Sequence, residues 1–295
     1  MNRPSYLAGV VVATALMGSS FSIGKLGLQD VSPLLLAGIR FTLAGIIMAA
    51  ATHHRPRPQG LRRWAQVALV GLFQTTGVMG AIFISLRTIP ASESSILTFS
   101  NPLMVVLLAT IFWKARYRAF QWIGVVLGFV GILITLGLHL HMRSGTALGL
   151  GGAFSWAVAT LLIKRWGAAF DMWALTAYQM LIGGLALLGL STVMERPLFV
   201  LTWTSLGLIL WLAIMASIVQ FSLWFWLLQQ GDAAKTSSFL FLAPFFGVLS
   251  GWLILGEPLT PGVLLGGLFI ALGIALVNLP QFTPKHDAPE SGGAL

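Results

Sequence analysis

The sequence contains no cysteine, few charged residues and few polar residues inside its long apolar runs. Without cysteine, disulfide bonds and thiolate metal sites are excluded. Charged residues make up 8% of the 295 residues, and hydrophobic residues make up 57%. Soluble domains carry about 25% charged residues, so this composition all but excludes an ordinary soluble globular protein.

The sequence also lacks the common catalytic motifs. It has no Walker A run, no HExxH zinc motif, no nucleophile elbow and no paired catalytic carboxylates. Intramembrane hydrolysis would need a polar nucleophile beside a base, and no such pair lies in the apolar runs. We therefore predict that the protein is not an enzyme and that it uses no cofactor and no metal.

The few charges that are present are mostly positive. The net charge is +9, which in a soluble protein would suggest a nucleic-acid partner. Here the basic residues lie in short loops, where they orient membrane helices and face anionic lipid. If the N-terminus is cytoplasmic, 12 of the 17 Lys and Arg residues lie on the inner side and four on the outer side, with Arg40 inside a helix. We expect a lipid bilayer as partner, no nucleic acid, and both termini in the cytoplasm.

Ten apolar runs fill most of the chain. A helix needs about 20 apolar residues to cross the ~30 Å hydrocarbon core of a bilayer, and breaks that contain proline or charge separate the runs. The predicted membrane helices cover residues 5–26, 33–52, 64–86, 91–113, 119–138, 146–165, 172–193, 204–228, 235–255 and 260–279. The sequence therefore predicts an all-α polytopic membrane protein with ten transmembrane helices.

The two halves of the chain repeat. An offset of 139 places Arg40 on Gln179, and an offset of 142 places Pro102 on Pro244. Further matches relate Met17 to Trp156, Lys25 to Lys164, Glu93 to Lys235, Gly124 to Gly266 and Gly131 to Gly273. Because each half has five helices, an odd number, the second half enters the membrane from the opposite side. We expect two inverted five-helix repeats, at residues 1–140 and 141–280, followed by a disordered cytoplasmic tail at 281–295.

Two proline-containing helices occupy matched places in the halves, at residues 93–113 and 235–255. In each, the proline follows a charged residue by nine positions, Pro102 after Glu93 and Pro244 after Lys235. An interior proline removes a backbone hydrogen bond and bends a helix. A pair of interrupted helices is a sequence pointer to the binding site of a transporter. These four residues are therefore the predicted gating and hinge residues.

Several short motifs together resemble a known family. They are residues 17–21 (Met-Gly-Ser-Ser-Phe) with Lys25, Pro33 with Arg40-Phe41, Asn101-Pro102, residues 256–260 (Gly-Glu-Pro-Leu-Thr), and Gly273 with Asn278. They resemble the drug/metabolite transporter superfamily, specifically its ten-helix EamA-type permeases, over about residues 5–280. Two places depart from the family pattern: residues 114–118 read Lys-Ala-Arg-Tyr-Arg where a Gly-Glu-Pro-like stretch is frequent, and Met17 replaces a common tryptophan.

The resemblance has consequences for fold and function. It implies a small-molecule carrier of the bacterial cytoplasmic (inner) membrane, with the first four helices of each half around a central cavity and the fifth and tenth outside it. Within the family, YddG-type aromatic amino-acid exporters are the suggested relatives.

Arg40 and Asn101 are polar residues that each allow two interpretations. Arg40 lies seven residues past Pro33, about 10 Å below the helix end, and a buried charge at this depth points to function. It could bind a substrate carboxylate, or it could donate to helix-end carbonyls or snorkel outward. The Asn101 amide could bind a ligand or satisfy the carbonyl that Pro102 leaves free.

Aromatic and amide residues near mid-helix complete the predicted site. Phe99 and Phe241 correspond under the offset of 142 and lie three residues before the two prolines. Such rings suit planar or apolar substrates, and cations could also sit over them. The predicted substrate-binding residues are Met17, Arg40, Gln74, Phe99, Asn101, Trp156, Gln179, Gln220, Trp224 and Phe241.

These features predict export of a small metabolite by alternating access around a midplane cavity. An amino acid is the best candidate, with aromatic ones favoured; efflux of flat toxic cations is the alternative, and the near-complete repeat disfavours a non-transporting scaffold or receptor. Of eight acidic residues only Glu93 lies near a helix interior, and no histidine lies mid-membrane, so we expect facilitated transport, with proton coupling through Glu93 as the alternative.

The glycine-rich fifth and tenth helices could form scaffold or a dimer contact, so we expect a monomer or a weak homodimer.

Overall fold

A computed structural model describes residues 3–135, 144–230 and 239–278, and these ranges fold into ten helices. Seven of the helices are long and apolar enough to cross a membrane, and three are shorter apolar helices. The all-α polytopic fold is thus as predicted. The helices are α1 Arg3–Gly27, α2 Pro33–Ala51, α3 Gly60–Ser85, α4 Ala91–Trp113, α5 Ala119–Thr135, α6 Ser144–Trp166, α7 Met172–Met194, α8 203–230, α9 Phe239–Leu255 and α10 Pro261–Val277.

Two of the helices contain a wide π-helical turn at matched places. In α3 the turn is Leu72–Gly77, and in α8 it is Ile214–Val219. The offset between the two turns is 142, the same offset that relates the two prolines. A π-helical turn interrupts the regular ladder of backbone hydrogen bonds and is frequent at functional sites. Sequence periodicity did not predict either turn.

The proline-containing helices are segmented rather than smoothly bent. Helix α4 consists of Ala91–Thr98 and Asn101–Trp113, so Pro102 lies in the first turn of the second segment. Helix α9 begins with a single 3-10 turn, Phe239–Phe241, and Pro244 lies in the first turn of the α-helix that follows. The first turn of a helix leaves its N–H groups without intrahelical partners, so a proline is tolerated there.

Glycine allows α5 and α10 to pack backbone against backbone. A Cβ atom on Gly124 would lie 2.7 Å from the carbonyl oxygen of Gly273, and one on Gly131 would lie 2.7 Å from that of Gly266. The offset of 142 relates Gly124 to Gly266 and Gly131 to Gly273, so the two contacts are equivalent and symmetric about an axis between the halves. The predicted small-residue faces are thus in contact within one chain.

The remaining helix pairs obey the same symmetry. Helix α2 packs on its equivalent in the other half, α7. Helix α1 packs on α9 in the same way as α6 packs on α4. Helix α1 also packs on α8 in the same way as α6 packs on α3. Exchanging the halves reproduces every one of these pairs. We call the face at which α1 begins and α10 ends the terminal face, and the opposite face the distal face.

Loops close the distal face. The backbone N–H of Ser32 donates to the Leu198 carbonyl (3.0 Å), and that of Val200 donates to the Asp30 carbonyl (2.9 Å). The Glu195 carboxylate, at the end of α7, accepts from backbone N–H groups in the first turn of α2. These contacts join the connection after α1 to the connection after α7.

Candidate substrate cavity

A cavity of about 520 Å³ lies between the two halves. This volume is within the range that small-molecule sites occupy, about 300–1,000 Å³. Nine of the ten predicted substrate-binding residues line it, as does the hinge residue Pro102. The nine are Met17, Arg40, Gln74, Phe99, Asn101, Trp156, Gln179, Gln220 and Trp224.

Among the described residues, the cavity lining reaches the terminal face. It includes Tyr117 in the connection between α4 and α5, Met172 at the start of α7, and Asn278 just after α10. At the other end the lining side chains Phe21 and Phe83 are buried, with 4% and 1% of their surface exposed. The cavity therefore ends at an apolar seal below the distal face.

Arg40 is the deepest charged group of the cavity. Only 2% of its surface is exposed, its Nε donates to Ser217 Oγ (2.8 Å), and its Nη2 donates to the Ala216 carbonyl (2.7 Å). Its guanidinium carbon lies 4.6 Å from the centroid of the Phe41 ring. Both acceptors belong to the π-helical turn of α8, which frees a carbonyl for this purpose. In the described part of the chain, no carboxylate pairs with Arg40.

A second polar pair holds the equivalent position in the other half. Thr75, in the π-helical turn of α3, donates through Oγ1 to Gln179 Oε1 (2.7 Å). Gln179 matches Arg40 under the offset of 139, and Thr75 matches Ser217 under the offset of 142. Each pair therefore joins the second helix of one half to the third helix of the other.

Three aromatic rings form a continuous wall of the cavity. The centroid of the Phe99 ring is 5.7 Å from that of Phe21 and 5.6 Å from that of Trp156. Phe99 lies at the break between the two segments of α4 and has only 2% of its surface exposed. Phe21 was not predicted as a site residue, although it follows Met17 by one helical turn.

Asn101 contributes an unpaired acceptor. It is 4% exposed, and its Oδ1 has no hydrogen-bond partner among the described residues. A buried amide oxygen without a partner costs roughly 1–3 kcal/mol relative to a paired one.

An ionic contact, which we call the distal latch, lies between the cavity seal and the distal face. Glu257, in the connection between α9 and α10, accepts from the backbone N–H groups of Ala91 (2.6 Å) and Ser92 (3.0 Å) and from Ser92 Oγ (2.7 Å). Lys25 Nζ donates to the same carboxylate (3.2 Å) and to the Ile89 carbonyl (2.9 Å). The latch thus joins α1 and α9 to the start of α4.

Several groups determine the charge state of the latch carboxylate. Burial by itself raises the pKa of Glu257, but the hydrogen bonds from Ser92 and Ala91 and the charge of Lys25 outweigh it. The net pKa lies below the ordinary value of 4.5, so Glu257 is ionised at neutral pH.

The terminal face has no equivalent latch among the described residues. The offset of 142 places Ala115 at the position of Glu257, and the offset of 139 places Lys164 at the position of Lys25. Lys164 is exposed. The carboxylate of Asp171, at the start of α7 on the terminal face, pairs with Arg55 at 3.3 Å instead. The contacts that close the distal face therefore have no counterpart of this kind among the described residues of the terminal face.

Comparison with known proteins identifies the family. The sequence profile of the EamA-like transporter family matches residues 4–137 and, separately, residues 143–279. The chain belongs to the EamA-like transporter family. Because the profile matches each half, the EamA-like chain is a duplicated five-helix unit, as the two offsets predicted.

Several relatives of this EamA-like protein are named as bacterial transporters. It is 28% identical to the uncharacterized transporter YvbV of Bacillus subtilis, over 92% of this chain and 90% of the relative. It is 27% identical to the probable amino-acid metabolite efflux pump of Salmonella typhimurium, over 98% and 99%, and 27% identical to the uncharacterized inner membrane transporter YedA of Escherichia coli, over 90% and 88%. A crystal structure that is 20% identical matches with a TM-score of 0.66 over 93% of this chain and 96% of that chain, which supports the fold alone. The EamA-like protein is therefore a multi-pass membrane transporter rather than an enzyme.

Phe241 is the predicted substrate-binding residue that the structure does not place at the cavity. Its ring packs against the apolar cluster that contains Ile96 and Ile270, while Leu240 lines the cavity. In a 3-10 turn successive side chains point about 120° apart, so the neighbour of a cavity-facing residue is directed away. The sequence match with Phe99 did not reveal this turn.

Two of the other predicted gating residues, Pro244 and Glu93, lie outside the described cavity lining of this EamA-like protein. Pro244 is buried beside α1, where a Cβ on Gly18 would lie 2.5 Å from the neighbouring Ala243 carbonyl oxygen. Glu93, in the first turn of α4, accepts from Thr146 Oγ1 of α6 (3.1 Å). Lys235 and the tail at 281–295 lie outside the described residues.

Proposed function

We propose that this EamA-like transporter exports an amino acid, aromatic ones favoured, across the bacterial inner membrane by facilitated alternating access. The observation that carries the proposal is the charge of the cavity. Arg40 is the only charged side chain among the described lining residues, and no described carboxylate neutralises it.

A substrate carboxylate is the natural partner for this group. A charge at mid-membrane depth is costly unless it is paired or hydrogen-bonded. Ser217 and Ala216 take two of the five guanidinium N–H donors, and the donors on Nη1 form no hydrogen bond with described residues. A bound carboxylate would accept from one Nη1 N–H and from the remaining Nη2 N–H in the bidentate geometry that arginine favours.

The same charge disfavours the efflux of toxic cations. Two positive charges about 6 Å apart repel by roughly 3 kcal/mol at an effective dielectric constant of 20. The described lining offers no carboxylate to offset that repulsion. A cationic dye would therefore bind at least tenfold more weakly than a neutral molecule of equal shape.

The aromatic wall supports the preference among amino acids. Phe21, Phe99 and Trp156 present one surface, and each favourable ring pair adds about 0.5–1.5 kcal/mol beyond area burial. Asn101 lines the same cavity, and its buried Oδ1 has no hydrogen-bond partner among the described residues. One relative is named a probable amino-acid metabolite efflux pump, which agrees with this substrate class.

The symmetry of the fold supports alternating access. In a carrier of inverted repeats, exchanging the conformations of the halves closes one face and opens the other. The charge distribution of the loops favours cytoplasmic termini, and the terminal opening would then load substrate from the cytoplasm. Glu93 lies outside the cavity lining and is bonded to Thr146, so we propose facilitated transport rather than proton coupling through it.

Counterflow with the purified protein in liposomes tests this function. Preloaded phenylalanine should drive uptake of labelled phenylalanine, whereas phenylalaninamide, which lacks the carboxylate, and ethidium should not. Arg40→Gln should reduce phenylalanine counterflow at least tenfold, Arg40→Lys should retain part of it, and Arg63→Gln, at an exposed site in α3, should leave it unchanged. Counterflow of ethidium without counterflow of any amino acid would overturn the proposal, as would wild-type flux in a folded Arg40→Gln variant.

A further inference from the structure

The two polar pairs of the cavity are equivalent in place but different in charge. Arg40 bonds to Ser217 at 2.8 Å, and Gln179 bonds to Thr75 at 2.7 Å. In both, a hydroxyl in a π-helical turn fixes a longer side chain from a neighbouring helix. One half thus presents a cation, and the other presents a neutral amide.

The bond from Thr75 determines which end of the Gln179 amide is available. Gln179 is 4% exposed, lines the cavity and accepts through Oε1. Its Nε2 forms no hydrogen bond with described residues, so the amide offers two N–H donors. Thr75 is itself 1% exposed, and a side chain held by a buried partner loses little conformational entropy when it binds a ligand.

The register of α2 on α7 gives the separation of the Arg40 and Gln179 backbones along the helices. A Cβ on Gly45 would meet Leu181, and a Cβ on Gly184 would meet Thr42, so the two helices run antiparallel. In this register Gln179 lies opposite the helical turn that starts about seven residues beyond Arg40. At 1.5 Å per residue, the two points are about 10 Å apart along the helices.

We propose that Gln179 is a second anchoring point of the substrate site, for the uncharged, hydrogen-bond-accepting far end of a ligand whose carboxylate binds Arg40. The proposal rests on the proposed function. The ligand class is an elongated amino acid with a hydrogen-bond acceptor at the end remote from its carboxylate, of which the phenol of tyrosine is a natural example. The aromatic wall of Phe21, Phe99 and Trp156 belongs to the same cavity and would contact the ring between the two ends.

The asymmetry of the two points also sets the charge that the site accepts. A ligand with a carboxylate at each end would place one at Arg40 and the other at a neutral amide. The desolvation of that second carboxylate would have no cation to offset it. The wild-type protein should therefore reject dicarboxylates of this length, and a second cation at position 179 should admit them.

Counterflow with three related amino acids tests the inference. The probes are tyrosine, phenylalanine, and 4-carboxyphenylalanine, which carries a second carboxylate at the far end of the ring. Gln179→Leu should weaken the apparent affinity for tyrosine roughly fivefold more than that for phenylalanine, the worth of about one neutral hydrogen bond. Thr75→Val, which releases the amide, should do the same to a smaller extent. Gln179→Arg should confer counterflow of 4-carboxyphenylalanine.

The phenylalanine measurement is the folding control within each variant. An equal loss of tyrosine and phenylalanine in Gln179→Leu would assign the residue a purely structural role and overturn the inference, as would an unchanged tyrosine affinity. If neither amino acid is carried by the wild-type protein, the proposed function fails instead. Failure of the inference alone leaves phenylalanine counterflow and its dependence on Arg40 intact.

Discussion

Replacing Glu257 by Gln should shift this transporter toward a state that is open at the distal face. The carboxylate joins Lys25 of α1 to the start of α4 through Ala91 and Ser92. Glutamine keeps one acceptor oxygen but loses the charge. Hydrogen bonds to charged groups are worth about 1.5–3 kcal/mol and neutral ones about 0.5–1.5, whereas a partly exposed ion pair adds at most about 1 kcal/mol.

These contributions decide the size of the shift. Lys25 is 30% exposed, so solvent screens its share, and the loss of charge-assisted capping dominates. The sum is about 2 kcal/mol, which changes the ratio of distal-closed to distal-open protein roughly thirtyfold. The shift requires that opening the distal face breaks the latch, and among the described residues the terminal face has no equivalent contact to offset it.

Single cysteines measure this shift directly, because the chain has no cysteine of its own. Leu86 directly follows α3 at the distal face and is 1% exposed. A Leu86→Cys variant therefore reports on opening of that face. In that background Glu257→Gln should raise the rate of reaction with a membrane-impermeant maleimide from the distal side. At the terminal mouth, an Ile163→Cys variant should react more slowly.

The matched control is Glu195→Gln. Glu195 caps α2 with the same chemistry at the same face, but it joins α7 to α2, which already pack together through their glycines. It should lower stability without changing either labelling rate. Unchanged labelling in Glu257→Gln, or equal changes in both variants, would refute the reasoning.

The pH dependence of the latch follows from the sign of the pKa shift. The folded protein holds the pKa of Glu257 below 4.5. The stabilisation is therefore fully present above pH 4.5 and is lost as the pH falls through the lower folded value. When it is divided by the rate for a free thiol at the same pH, which corrects for the falling thiolate fraction, labelling at Leu86→Cys should stay constant from pH 8 to pH 5 and increase only below that range.

Further predictions concern the cavity and the helix contacts. Phe99→Ala removes the central ring of the aromatic wall and should weaken the apparent affinity for phenylalanine about tenfold, with a smaller effect on alanine. Pro102→Ala and Pro244→Ala should each reduce transport more than expression, because alanine permits continuous helices; wild-type flux in both would contradict a hinge role. Gly124→Ala places a Cβ 2.7 Å from a backbone oxygen of α10 and should lower the melting temperature by several degrees at a cost of about 1–3 kcal/mol, whereas Gly151→Ala, with open space around it, should not.

The sequence predicted those features that depend on local composition. The ten apolar runs became helices, and the predicted starts of α2 at Pro33, α4 at Ala91 and α7 at Met172 match the structure because a proline or a capping aspartate fixes each of them. Arg40 and Gln179, which match under the offset of 139, both line the cavity, because an inverted repeat places equivalent residues at equal depths below opposite faces.

Features that depend on side-chain packing were not predictable. The π-helical turns leave no hydrophobic period of their own, so Ser217 went unnoticed although it matches Thr75 under the offset of 142. Glu257 and Lys25 are 232 residues apart in sequence and meet only after α9 packs on α1. Phe241 was expected at the cavity because its place in the repeat is that of Phe99, and a single 3-10 turn is enough to direct it elsewhere.

The structure of the protein with bound phenylalanine is the measurement that tests the central claim most directly. The account predicts density in the cavity, with the carboxylate within about 3 Å of Arg40 Nη1 and the ring against Phe99 and Trp156. Density at the lipid boundary, or a carboxylate directed away from Arg40, would contradict it.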